Sequence, residues 1–307
     1  MKPVLLIINL CLSLLLVACG GGGSGWPDNT GNDNGTASGA KSNFTLQVTD
    51  APIDNIVAVV LQFTEIRLRR SDGDWISYPL ETPKSIDLLK LEGSRTADLL
   101  TDEPLPTGRY DEIRLLLDDA PMANYVDLGA GGIQQLDVPS GTSSGLKIKG
   151  DFMRNAQNRL TLVIDFDLRQ SIRNPGKSGK YMMQPVLRLV DADKSGFLRG
   201  QVSALRLSSA GNCSDADPNT YNAVYLFAGH DVIPADIDLG SNKDIDPVAT
   251  ATVRWQPMKA AYEYELGFLA GGDYTLAITC NADLDDLDRG GDDLKFFIVR
   301  NVIVTAM

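Results

Sequence analysis

From Leu160 to Leu168 apolar residues recur at every second position: Leu160, Leu162, Ile164, Phe166 and Leu168. Between and just beyond them stand Thr161, Val163, Asp165, Asp167 and Arg169. A period of two sends one row to a core and the other outward, which is the pattern of a β-strand. The stretch reads as strand as far as Ser171, and its flanks read as partners, which places it near the middle of a sheet. Strand patterns follow one another at 44–48, 57–69, 75–78, 86–91, 109–117, 122–128, 133–138, 146–152 and 181–190. Within 57–69 the alternation slips near Thr64, as at a β-bulge. Ser71-Asp72-Gly73-Asp74 reads as a hairpin turn, and residues 97–100 as a helical turn. A second series runs through 197–207, 223–228, 249–255, 262–268, 274–280 and 296–304. Long helical periodicity is absent, so the fold class is all-β, with two β-sandwich domains at 44–194 and 195–307.

What precedes the strands is of another kind. Lys2 is followed by an apolar run and then Leu16-Val17-Ala18-Cys19, the pattern of a lipobox. Residues 1–18 therefore read as a lipoprotein signal peptide, too short for a membrane span of about 20 apolar residues. Cys19 is the expected site of acylation, palmitate included, and two or more chains anchor where one binds marginally. Gly20, not Asp, follows Cys19, which directs the expectation to the outer membrane of the cell envelope. Residues 19–43 are rich in Gly, Ser and Asn and form a flexible tether.

Composition narrows the partners. The net charge is −12, which argues against nucleic acid and against an anionic membrane surface. The membrane contact expected is the lipid anchor. Acidity is uneven: residues 44–195 carry 22 acidic and 18 basic side chains, and residues 196–307 carry 16 and 8. Of four cysteines, Cys11 leaves with the signal and Cys19 is acylated. Cys213 and Cys280 remain, and a pair in an oxidising compartment is expected to form a disulfide.

Several stretches invite a chemical reading. Asp165, Asp167 and Arg169 form a charged cluster on one face of the strand, within reach of Asp87 or Arg188. It reads either as a ligand or cation site or as a row of cross-strand pairs. Gly141-Thr142-Ser143-Ser144-Gly145 copies the string of a nucleophile elbow, but a strand pattern follows where a helix is needed, so it reads as a turn. Asp191-Ala192-Asp193-Lys194-Ser195-Gly196 copies half of a calcium loop, with Val202 where the bidentate Glu belongs. His230 is the single histidine and has no nucleophile placed beside it. Residues 281–293 crowd Asp283, Asp285, Asp286, Asp288, Asp292 and Asp293 into one loop. So many carboxylates invite calcium, the one cofactor the sequence suggests. Tyr221, Tyr225, Trp255, Tyr262 and Tyr264 would serve as a sugar platform or as ordinary strand residues.

Two resemblances add to this. Thr49-Asp50-Ala51-Pro52, Ser85-Ile86-Asp87-Leu88-Leu89 and Leu105-Pro106-Thr107-Gly108-Arg109-Tyr110 occur in order, followed by Val138-Pro139-Ser140-Gly141. Val163 to Arg169 and Gln184-Pro185-Val186-Leu187-Arg188-Leu189-Val190 complete the series. Together they resemble a family of bacterial lipoprotein domains of unknown function, which implies a β-rich extracytoplasmic module and no established catalytic residue. Gly196 to Val202 with Leu269 to Leu276 resembles prealbumin-like, carboxypeptidase-regulatory-like modules. Those are small β-sandwiches used as spacers, and some relatives bind starch. The expected function is that of a non-enzymatic binding module for a glycan, a protein or a cation. The competing readings are an assembly partner in an envelope complex and a hydrolase built on carboxylates such as Asp165 and Asp167.

Overall fold

The computed structural model describes residues 43–51, 53, 55–156, 159–173, 180–208, 221–238, 246–287 and 291–306. The expectations for 1–42, including Cys19, and for Cys213 and Asp288 lie outside the described residues. The chain is built almost wholly of strands. In the first half these are β1 Asn43–Ala51, β2 Ala58–Arg70, β3 Trp75–Asp87, β4 Ala97–Pro104, β5 Gly108–Leu117 and β6 Tyr125–Asp127. They continue with β7 Ile133–Asp137, β8 Leu146–Arg154, β9 Leu160–Asp167, β10 Ile172–Arg173, β11 Tyr181–Met183 and β12 Leu187–Asp191. A single helical turn, α1 Leu168–Ser171, follows β9. The second half holds β13 Ser195–Ser203, a short helix α2 Ala204–Ser208, β14 Ala223–Ala228, β15 Ala249–Thr252 and β16 Arg254–Gln256. It closes with β17 Ala261–Ala270, β18 Gly272–Thr279 and β19 Phe296–Val304.

In the first half a four-stranded sheet, in the order β12-β9-β1-β4, faces a larger sheet organised around β2 and β5. Phe44, Leu46 and Val48 of β1 and Leu162, Ile164 and Phe166 of β9 meet Leu61, Phe63, Ile66 and Leu68 of β2 in one core. β9 is an interior strand, paired in parallel with β1 and antiparallel with β12. The slip near Thr64 is real: the register of β2 shifts between Phe63 and Glu65 against both neighbours. In the second half a three-stranded sheet (β13-β17-β16) packs on a four-stranded one (β15-β14-β18-β19). Val224, Leu226, Leu276 and Ile278 face the shared core, while Ala223, Tyr225, Phe227 and Ala277 face a smaller cluster under the loops 229–238 and 281–294. β14 is therefore buried on both faces, which explains its nearly unbroken apolar sequence.

Four local readings need correction: the strand pattern at 197–207 ends at Ser203, and Ala204–Ser208 turn as the short helix α2. Residues 97–100 are not a helical turn but the start of β4, held by pairing to β1. The strand pattern at 86–91 ends at Asp87, and Leu88–Lys90 turn as a 3₁₀ helix. The strand at 160–171 also stops early, at Asp167. The Asp167 carboxylate accepts a hydrogen bond from the Gln170 amide at 3.0 Å and caps α1 instead. Among the described residues no helix is long and apolar enough to cross a membrane.

Candidate functional site

The C-terminal ends of β1 and β9 run side by side, so that Thr49 lies opposite Asp165, Asp50 opposite Phe166 and Ala51 opposite Asp167. Four polar residues thus end on one patch of backbone. Thr49 Oγ1 lies 2.8 Å from the carbonyl oxygens of both Leu91 and Arg95, fastening the 91–95 loop to the strand end. Asp165 is paired with Arg188, the residue directly across from it on β12. Burial pushes the Asp165 carboxyl up, and the Arg188 guanidinium opposes that shift. Asp167 is pushed up to about 6, chiefly by burial and in part by Asp165, against the hydrogen bonds it accepts from Gln170. Asp50 is also raised well above the usual carboxylate range, by burial first and then by Asp165, Asp167 and Glu92.

The expected row of Asp165, Asp167 and Arg169 does not exist as a row. Asp165 forms a cross-strand pair, Asp167 is a buried cap, and Arg169 sits buried in α1. The period of two continued past the residue at which the cap redirected the backbone.

The second half seats directly on this patch. Gly93, with φ +72°, and Gly267 touch: a Cβ on Gly267 would lie 2.1 Å from the Gly93 carbonyl oxygen, so only glycine fits there. Around this contact Arg254 pairs with Glu92, and Arg199 Nε pairs with Glu265 at 2.8 Å. Gln170 Nε2 donates to the Pro247 carbonyl at 3.3 Å, and Arg188 Nη2 reaches the Gly267 carbonyl at 3.5 Å.

Beside the seam opens a cleft of about 660 Å³, within the roughly 300–1,000 Å³ usual for ligand pockets. The 92–95 loop forms one wall, and β13, β15, β16 and β17 supply the rest. Its charged groups are Glu92, Glu263, Glu265, Arg95, Arg199, Arg254 and Lys259. Each glutamate is already engaged, Glu263 by Lys259 at 2.8 Å and by Gln201 at 2.6 Å. The cleft thus shows cationic and amide donors in a protein whose net charge is −12. Apart from Arg199, which lies in the Gly196–Val202 segment, none of these residues stood out in the sequence, because the pairing of the 92–95 loop with β16 joins positions 162 apart.

The acidic loop is only partly gathered. Asp285 and Asp292, together with Asp236, bring carboxylate oxygens within 4.8 Å of one another. Asp283, Asp286 and Asp293 do not join them: Asp283 and Asp286 point to solvent, and Asp293 pairs with Lys295. Asp285 has a packing task, accepting from the Tyr225 hydroxyl at 2.6 Å and from the Ile237 amide at 2.9 Å. Burial is the main reason its carboxyl is pushed up to about 6. The aromatic platform is not assembled either. Tyr225, Tyr262 and Tyr264 are buried, and Trp255, tilted against Tyr262, is the exposed member. Residues 141–144 form a turn, as their sequence suggested, and Ala192–Lys194 form a 3₁₀ turn capped by Asp191. His230 lies at a loop 3.6 Å from Asp273, away from the cleft.

Residues 41–185 match the family model described as a domain of unknown function, DUF4382. The matched segment contains β1 to β11, and with them Asp50, the 92–95 loop and the Asp165 and Asp167 pair. It stops short of Arg188 and of every second-half residue that lines the cleft. No curated protein and no solved structure matches the chain. The DUF4382 segment thus supplies one wall of the cleft and the chain beyond it the other.

Proposed function

We propose that this is a lipid-anchored envelope protein, bound to the outer membrane through Cys19, that holds a glycan in the cleft beside the seam. The observation that carries the reading is the lining: paired glutamates and projecting Arg95, Arg199, Arg254, Gln201 and Gln256 present hydrogen-bond donors to a polyhydroxylated or carboxylated chain. Arg95 and Arg254 are more than half exposed, and both pair with Glu92, at the cleft wall. The likeness of residues 195–307 to prealbumin-like modules supports a sugar-facing surface as well. Isothermal titration with neutral and with uronate-containing oligosaccharides tests this. Replacing Arg95 and Gln256 together by Ala, which leaves the seam pairs intact, should weaken binding about tenfold. Equal binding by the variant, at an unchanged melting temperature, would refute the cleft.

The anchor is tested separately. Cys19→Ser should move the protein from the membrane pellet to the soluble fraction, with loss of the acyl mass. Retention of the variant in the pellet removes the lipoprotein part of the reading. In the second half, Cys280 is buried at the end of β18, and we propose Cys213 as its disulfide partner. Titration of thiols in the unfolded, unreduced processed chain should find none, and two would show the pair unformed.

A further inference from the structure

The sheet built on β2 and β5 gives one face to the core, and its outer face carries a pattern of charge. There Arg67 of β2, Arg114 of β5 and Lys147 of β8 stand in register across neighbouring strands. Like charges directly opposite one another destabilise a sheet, so the fold itself does not account for this row. The next row along holds Arg69, Glu112 and Lys149. Three carboxylates answer the five cations: Glu65 holds Arg67, Asp111 holds Arg69, and Glu112 bridges Arg69 and Arg114. Lys147 and Lys149 are exposed and have no ion-pair partner among the described residues. The local surplus is thus positive, in a chain with 40 acidic and 28 basic side chains. Trp75 lies over the same face. Its ring centroid is 4.4 Å from the guanidinium carbon of Arg114 and 5.8 Å from that of Arg69. The residue remains 39 % exposed, so one side of the ring meets cations and the other meets solvent.

We propose that this face binds an acidic glycan, a polysaccharide carrying carboxylates, with one sugar ring stacked on Trp75 and the carboxylates on Lys147, Lys149 and Arg114. Charge complementarity selects an anion, and the flat aromatic ring beside the cations selects a sugar. Lys147 and Lys149 are about 6–7 Å apart along β8, a spacing at which they can meet carboxylates on successive sugars. A lipid surface fits less well. A face that lies on a membrane pushes several apolar side chains into the acyl boundary, whereas Trp75 lies along the sheet and is the one large exposed apolar residue in these rows. None of these residues lines the cleft, and all of them lie inside the DUF4382 match. The proposal therefore stands apart from the reading of the cleft.

The test is calorimetry on the full processed chain in a neutral detergent at pH 7.5, titrated with polygalacturonate and with a neutral glucan. EDTA is present, so that calcium cannot bridge acid to acid. The measurements are made in the Arg95→Ala, Gln256→Ala background as well as in the wild type, which reads this face apart from the cleft. In both backgrounds the polygalacturonate should bind and the glucan should not. Adding Lys147→Gln and Lys149→Gln should weaken binding about tenfold. That pair of changes removes a charge facing Arg114, so the variant should melt no lower than its parent. Trp75→Leu should weaken binding about fivefold and abolish the change in tryptophan fluorescence on binding. Raising the salt from 50 to 500 mM should weaken the parent's binding by at least about fivefold, as screening requires. The proposal is overturned if the lysine variant binds like its parent, or if the glucan binds as tightly as the polygalacturonate. It is equally overturned if phosphatidylglycerol doped into the micelles displaces the polymer, since the face then takes lipid.

Discussion

Replacing Arg188 by Met should destabilise the folded chain by about 3–5 kcal/mol, the usual result of removing one member of a buried ion pair. Asp165 is 12 % exposed at its side chain and depends on Arg188 for its pairing across β9 and β12. Without the guanidinium its charge faces Asp50 and Asp167 alone. The same side chain reaches the Gly267 carbonyl, so the seam loses a contact as well. Urea unfolding of the wild type and the variant measures the difference. The double variant Arg188→Met, Asp165→Leu should recover most of the loss, because an apolar pair leaves no orphaned charge. A single-variant cost below about 1 kcal/mol would show that Asp165 is solvated or neutral, against the pairing described.

How far the sequence announced these features follows from the range of the interactions involved. Strands were legible because alternation is local: β9, the bulge in β2 and the doubly buried β14 all show in runs of six to thirteen residues. Arg188 could be placed within reach of Asp165 because both lie on strands with clear registers. The end of β9 was missed because a capping aspartate and a strand aspartate look alike until Gln170 folds back onto Asp167. The cleft stayed hidden for a different reason. Glu92 meets Arg254, and Asp50 shares a cavity with Thr250, only after two separate sandwiches dock. Asp50 did lie within a stretch singled out for its resemblance, Thr49 to Pro52, but nothing local shows that the fold buries it. The acidic loop is gathered only in part, Asp285 and Asp292 meeting Asp236. Six aspartates close in sequence suggested one ion, whereas the fold spends Asp285 on Tyr225 and Ile237 and leaves others in solvent.

The glycines at the seam turn these observations into one account. Gly93 and Gly267 let the two backbones approach until no side chain fits between them. That approach buries Asp50 and Thr250 beside each other, and it also sets the floor of the adjacent cleft. A ligand in the cleft would therefore act on the docking of the two halves. Binding there favours the seated arrangement.

The seam and the acidic loop also predict that this protein is more stable at pH 5 than at pH 7.5 when calcium is withheld. Asp167 and Asp285 both have carboxyls raised to about 6, and burial raises Asp50 as well. A carboxyl raised in the folded state binds its proton more tightly there than in the unfolded chain. Its contribution is therefore fully present below the unfolded value near 3.9 and is lost as pH rises through about 6. Between pH 7.5 and 5.0 the folded state regains roughly one unit of proton affinity at each of Asp167 and Asp285. That amounts to about 1.4 kcal/mol apiece. For a chain of this size the sum corresponds to a rise of roughly 5–10 °C in melting temperature. Carboxyls held low by salt bridges, such as Glu65 and Glu263, work in the opposite sense only when pH falls through their own lowered values. The optimum should then lie near pH 5. Thermal melts in EDTA from pH 4 to 8 measure it, with Asp167→Asn and Asp285→Asn as controls that each flatten the curve. A melting temperature constant or falling from pH 7.5 to 5.0 would mean that these two carboxyls are ionised in the native protein.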